Sequence, residues 1–185
     1  IAFPYMFLDA TYCTQLQNVG LELHPDKTKV AYCKDANRPG DAEHTSFDFL
    51  GYTFRARLVK GRRGYFASFS PAISGKARKA VGQKIRGWHL NRRSGTDLSG
   101  LAAEINPQVR GWISYYGAFY RSELHFVARR IDEHIVRWVM QKFKRQRGKL
   151  AKARAWLEAA QQHQPRLFAH WVLVSPTQGR PVGAV

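Results

Sequence analysis

The side chains able to do chemistry in this chain are cations set beside flat rings. Between Arg55 and Thr96 there is no Asp or Glu, and the stretch carries Arg55, Arg57, Lys60, Arg62, Arg63, Lys76, Arg78, Lys79, Lys84, Arg86, Arg92 and Arg93. A second acid-free stretch, His134 to Leu157, carries Arg137, Lys142, Lys144, Arg145, Arg147, Lys149, Lys152 and Arg154. Tyr65, Phe66, Phe69, Trp88, Trp138, Phe143 and Trp156 are interleaved with them. Cations neutralise phosphates and rings stack on bases, so this composition points to nucleic acid. One-sided charge repels itself in a folded chain and calls for a polyanionic partner. The net charge of +17 says the same for the whole chain. The bland alternative is a solvated basic face. Metal chemistry finds little footing. Cys13 and Cys33 form no CxxC pair and have no His at zinc spacing, so two free thiols are expected and no metal site. His89, His134 and His170 have no ordered acid or Cys partner, and no catalytic role is assigned to them.

The elements that position these residues follow from hydrophobic period. Leu8, Tyr12 and Leu16 suit a helix over about Phe7 to Asn18, and Thr28 to Cys33 alternates as a strand. Lys34 to His44 is a loop. Thr45 to Phe54 reads as a strand that Arg55 to Val59 extends, Lys60 to Gly64 as a tight basic turn, and Tyr65 to Phe69 as the returning strand. From Pro71 the period becomes helical. Ala77, Val81, Ile85 and Trp88 share one face, with Lys76, Lys79 and Arg86 opposite and Ser70 or Ser74 as cap. Thr96 or Asp97 caps a short helix, and Asn106-Pro107 reads as a cap and first position of another, carrying Arg110. Ser122 is expected to cap a long helix reaching about Arg145. Beside its apolar stripe run Arg130, His134, Arg137, Gln141 and Lys144, without an acid. A solvated stripe usually alternates charge, so this one suits phosphate. Lys149 to Gln162 forms a last helix with Leu150, Ala153 and Leu157 inward, and Leu167 to Trp171 is an apolar patch that docks back. The tail from Ser175 reads as frayed. The fold class is α+β: a small antiparallel β unit followed by a helical bundle. No apolar run approaches the roughly 20 residues that span a bilayer, and no leader peptide is evident, so a cytoplasmic chain is expected.

Four segments carry a family resemblance. Gly20-Leu-Glu-Leu-His-Pro-Asp-Lys-Thr-Lys resembles the late palm motif of group II intron reverse transcriptases, the maturases. Phe47-Asp-Phe-Leu-Gly-Tyr-Thr-Phe resembles their primer-grip hairpin. Asn106-Pro-Gln-Val-Arg-Gly-Trp-Ile-Ser-Tyr-Tyr-Gly resembles the signature of the maturase, or X, domain. Phe168-Ala-His-Trp is similar to the ending of many bacterial members. The resemblance implies residues 1–70 as the end of a polymerase palm, 71–146 as thumb and maturase domain, and 147–185 as a C-terminal helix and tail. It implies that Lys27, Lys29, Phe49, Leu50, Gly51 and Tyr52 contact a primer or its phosphates. Lys76, Lys79, Arg86, Arg110, Arg130, Arg137 and Lys144 are the candidate RNA contacts of the helical part. Gly111 and Trp112 are expected to pack helices.

The same family uses paired Asp residues of a Tyr-Ala-Asp-Asp motif to hold two magnesium ions. This sequence has no Asp-Asp pair, so no polymerase activity is expected of it alone. No cofactor is expected in this chain, Mg²⁺ belonging to a full-length polymerase. The leading reading is an RNA-binding fragment that grips intron RNA or an RNA/DNA template-primer duplex, with a fingers and palm region as a possible partner. A second reading makes it part of an active polymerase whose catalytic palm lies elsewhere. A third is an unrelated basic DNA-binding or structural module, for which the sequence offers no helix-turn-helix or zinc finger.

Overall fold

A computed structural model describes residues 31–37, 42–62 and 64–174. The helix expected from Phe7, the first resemblance motif with Lys27 and Lys29, Cys13, Arg63 and the tail from Ser175 lie outside the described residues. The architecture is a three-stranded antiparallel sheet followed by helices, an α+β arrangement.

The strands are β1 (Ser46–Phe49), β2 (Tyr52–Gly61) and β3 (Gly64–Ile73), in that spatial order. The single strand expected from Thr45 through Val59 is two. Leu50 and Gly51, with φ of 47° and 80°, turn the chain so that Phe49 faces Tyr52. A two-residue hairpin of type I′ needs positive φ at both central positions, and Gly51 supplies one of them without strain. The resemblance had implied a hairpin at this point. The β2–β3 ribbon pairs from Tyr52–Ile73 out to Gly61–Gly64. The strand therefore runs through Pro71 to Ile73, past the expected change of period at Pro71. Pro71 is tolerated because β3 is an edge strand. Ala31–Cys33, expected as the end of a strand, carry no strand.

Of the two capping candidates, Ser74 starts α1 (Gly75–Gly87), its hydroxyl accepting from the Ala77 N–H at 3.1 Å. Asp97 starts α2 (Leu98–Tyr116) by accepting from the Gly100 N–H at 2.7 Å. The two helices expected either side of Asn106-Pro107 are this one helix, with Pro107 inside it. Asn106 caps nothing. Its Nδ2 donates to the Leu167 carbonyl and its Oδ1 accepts from the Ala169 N–H, both at 2.8 Å. Ser122 is not a cap either, since it sits in a 3-10 turn, Arg121–Leu124, before α3 (His125–Lys142). That helix stops short of Arg145, because Phe143 turns extended, with φ −105° and ψ 109°. The Phe143 ring lies 5.2 Å from Trp156 and 6.2 Å from Trp138, so ring packing ends the helix where local pattern would continue it. Lys144 then falls in a 3-10 turn. The last helices are α4 (Leu150–His163) and the short α5 (Trp171–Val174). Ala153 and Leu157 are buried as expected, but Leu150 is exposed.

The core gathers around α3. Val127, Ala128, Ile131, Ile135, Trp138 and Val139 pack with Val81 and Ile85 of α1, Leu101, Ile105 and Val109 of α2, and Phe168 and Trp171. The patch from Leu167 docks on the bundle as its apolar character predicts. Among the described residues no helix is long and apolar enough to cross a membrane.

Candidate nucleic-acid interface

The cations of the acid-free stretches and of the α3 stripe separate into two groups. One group is tied into the fold. Glu123, in the turn before α3, takes Arg57 Nη1 at 3.6 Å and Arg78 Nη1 at 3.2 Å, joining the sheet to α1. The Arg57 side chain is buried. Its Nε and Nη2 donate to the carbonyls of Ser70 and Thr53. Burial, reinforced by Arg55, pushes its pKa down against the pull of Glu123. Arg93 pairs with Glu104, and Lys142 Nζ donates to the carbonyls of Ser94 (2.9 Å) and Thr96 (2.8 Å).

The other group has no ion pair among the described residues, and part of it converges. The Arg78 guanidinium lies 4.4 Å over the Phe126 ring, so α1 starts beside the start of α3. About two turns on in both helices, the charge of Arg86 acts on His134. Arg130 and Arg137, one turn either side of His134, share that edge of α3. The groove where the packed helices α1 and α3 meet, here called the cleft, is thus flanked by guanidinium groups whose charge reaches the buried His134: Arg86, Arg130 and Arg137. Arg130 Nε is occluded and has no hydrogen-bond partner. Glu133 is the acid that acts on His134, against three guanidinium groups.

Burial first, then Arg137, Arg130 and Arg86, hold His134 below its ordinary pKa of 6.5. The unfolded chain then takes up a proton before the folded chain does, so stability is lost as pH falls from about 6.5 through the folded value. Thermal unfolding of His134→Gln should therefore depend less on pH between 7.5 and 5 than that of the parent. Parallel pH profiles would remove His134 from the cleft floor.

The remaining candidates are placed as follows. Lys76 and Lys79 are exposed on α1, away from its buried Ala77, Val81 and Ile85. Arg110 is exposed on α2. Lys144 leaves the stripe with the end of α3. Phe49 and Leu50 are exposed at the hairpin tip, whereas Tyr52 is buried. The Tyr52 hydroxyl donates to the Tyr115 carbonyl, and the Tyr115 hydroxyl donates to the Leu50 carbonyl at 2.8 Å. The Tyr52 ring packs against Tyr115, Tyr116 and Phe119. Burial pushes the Tyr52 pKa up to about 12 and raises that of Tyr116. A Cβ on Gly51 would stand 3.1 Å from the Tyr116 hydroxyl, so the close approach Gly51 permits is to Tyr116. The hairpin is thus locked to the end of α2, through tyrosines that sequence reasoning did not single out. Their only signal is their place in the Ser-Tyr-Tyr-Gly part of the maturase motif.

Two further expectations are corrected. Gly111 packs against nothing, being exposed with open space where a Cβ would stand. Trp112 does pack, stacking on Trp88 at 5.7 Å. His170 has an acid partner after all, its Nε2 lying 2.9 Å from Asp132 Oδ1. Among the described residues Cys33 is a free thiol, and no group of three or more His, Cys, Asp or Glu could hold a metal.

Residues 78–156 match the family model described as the group II intron, maturase-specific domain. The match runs from within α1 into α4 and includes both walls of the arginine cleft. The helical part of the chain is therefore similar to this domain, consistent with the C-terminal part of a group II intron maturase. No curated protein and no solved structure matches the chain.

Proposed function

We propose that this chain, a carrier of the maturase-specific domain, binds group II intron RNA by its backbone through the cleft between α1 and α3. The observation that supports it most is that Arg86, Arg130 and Arg137 all act on the buried His134 while none of them has an ion pair among the described residues. Like charges held together in a fold imply a counter-anion, and phosphates along an A-form duplex are spaced to supply several. Lys76 and Lys79 extend the same basic surface along α1. In this reading the sheet is the edge of a polymerase palm, the helices are its thumb, and the chain holds RNA while catalysis resides elsewhere.

Binding of the chain to intron RNA and to an unrelated structured RNA, at several salt concentrations, tests the proposal. With roughly 5–8 phosphates contacted, log K should fall with log salt at a slope of about −4 to −7 for both RNAs. A slope near zero, or no binding at low salt, would sink it.

A further inference from the structure

We propose that the free end of the β2–β3 ribbon is a second nucleic-acid contact, one that takes unpaired bases by stacking. The ribbon is ten residues long on each strand, so it spans roughly 30 Å. Its inner end is fixed: Tyr52, Ala72 and Ile73 are buried and Arg57 is held by Glu123, while farther out the Tyr120 hydroxyl donates to the backbone carbonyl of Leu58. Its outer end is not covered by any described residue. Leu58 is 62% exposed, Tyr65 67% and Phe66 47%. The segment around Ala36 bonds one backbone edge there, donating to the Ala67 carbonyl at 3.1 Å, and leaves these side chains open.

Two properties of this end select the partner. The first is charge. Among the described residues, Arg55, Lys60 and Arg62 are exposed on the ribbon without an ion pair, and no acid follows in sequence until Asp97. An apolar protein surface would have to bury those cations, whereas a nucleic acid neutralises them while its bases cover the rings. The second is the pleat. Lys60 faces Tyr65 across the ribbon and Val59 faces Phe66, so the two rings project from opposite faces. A ring on each face cannot stack inside a paired A-form helix, whose deep groove admits neither. Unpaired bases offer a π-face to each ring, with the neighbouring cations on their phosphates.

This surface is separate from the arginine cleft and rests on the proposed function only in that RNA is the ligand. Tyr65→Ala and Phe66→Ala, singly and together in the full chain, should be measured against a single-stranded RNA and a blunt RNA duplex at fixed salt. Each substitution should weaken single-strand binding by about 5-fold or more, with duplex binding unchanged. The salt slope should not move, because rings release no counterions. Lys60→Gln with Arg62→Gln should instead lower the single-strand slope by about 1–2 units. Both rings are exposed, so unchanged circular dichroism should confirm that the variants fold. Unchanged single-strand affinity in the double ring variant overturns the proposal, and so does an equal loss on both ligands. A parent dimer that the ring variants dissolve overturns it too, by assigning the patch to a second copy of the chain. If ring variants lose single-strand binding while cleft variants keep duplex binding, the ribbon stands and the cleft reading falls.

Discussion

Neutralising Arg86, Arg130 and Arg137 together, each to Gln, is expected to flatten the salt dependence of RNA binding by about 2–3 units of slope. Each phosphate contact releases about 0.7–0.9 of a counterion, and three contacts are removed. At 0.1 M salt the same loss corresponds to an affinity on the order of 10²–10³-fold weaker. The loss should be alike for all RNA sequences, since phosphate contacts position a partner without reading bases. Lys149, Lys152 and Arg154, exposed at and on α4, give a control with the same change of net charge. Their neutralisation should shift the slope clearly less if the cleft is a site and not one patch of a diffuse basic surface. Stability separates a lost contact from a lost fold. The three arginines disfavour a proton on the buried His134 and have no ion pair among the described residues to lose, so the triple variant should melt no earlier than the parent. Equal slopes for cleft variant and parent would leave the cleft a solvated face. The binding surface would then lie along Lys76 and Lys79 or on the ribbon.

What the sequence made legible was local. Apolar period located α1, α3 and α4, side-chain oxygen chemistry narrowed the caps to Ser74 and Asp97 among two candidates each, and the patch from Leu167 was recognisably a docking segment. What stayed hidden depends on partners far along the chain. Asn106-Pro107 looks like a helix start, yet Asn106 is claimed by Leu167 and Ala169, and the helix runs on through Pro107. Pro107 removes one helical hydrogen bond, a cost that tertiary packing on both sides of it outweighs. Phe143 fits the helical period but is drawn out by Trp156. The cations were the hardest to sort. Arg57, Arg78 and Arg86 look alike in an acid-free run. Only the fold shows that Glu123 captures the first two and that Arg86 instead acts, with Arg130 and Arg137, on His134. The family resemblance named the right domain, and the match over residues 78–156 supports it, but neither distinguishes a structural arginine from a free one.

Trp171→Ala is expected to destabilise the chain by about 3–5 kcal/mol, the usual range for truncating a fully buried Trp. For a folded unit of this size, that corresponds to a fall in melting temperature of roughly 6–20 °C. Trp171 is 0% exposed, its ring edge-on to Phe168 at 4.8 Å. Its Nε1 donates at 3.1 Å to Asp132 Oδ1, the oxygen that also meets His170 Nε2. Truncation opens a cavity beside α3 and removes one of these contacts. The same segment is held from the other side by Asn106, whose replacement by Leu would leave the Leu167 carbonyl and the Ala169 N–H without partners. That should cost roughly 2–6 kcal/mol, at about 1–3 for each orphaned group. Because both substitutions loosen one segment, the double variant should lose less than the sum of the two. Strict additivity would mean that the two anchors stabilise independent parts of the bundle. Asp132 lies on α3 between Arg130 and His134, so the C-terminal segment braces the helix that forms one wall of the cleft. The RNA-binding slope of Trp171→Ala, measured well below its melting temperature, should nevertheless equal that of the parent, since none of the cleft arginines is lost. A flattened slope at that temperature would show that the brace, as well as the arginines, sets the geometry of the cleft.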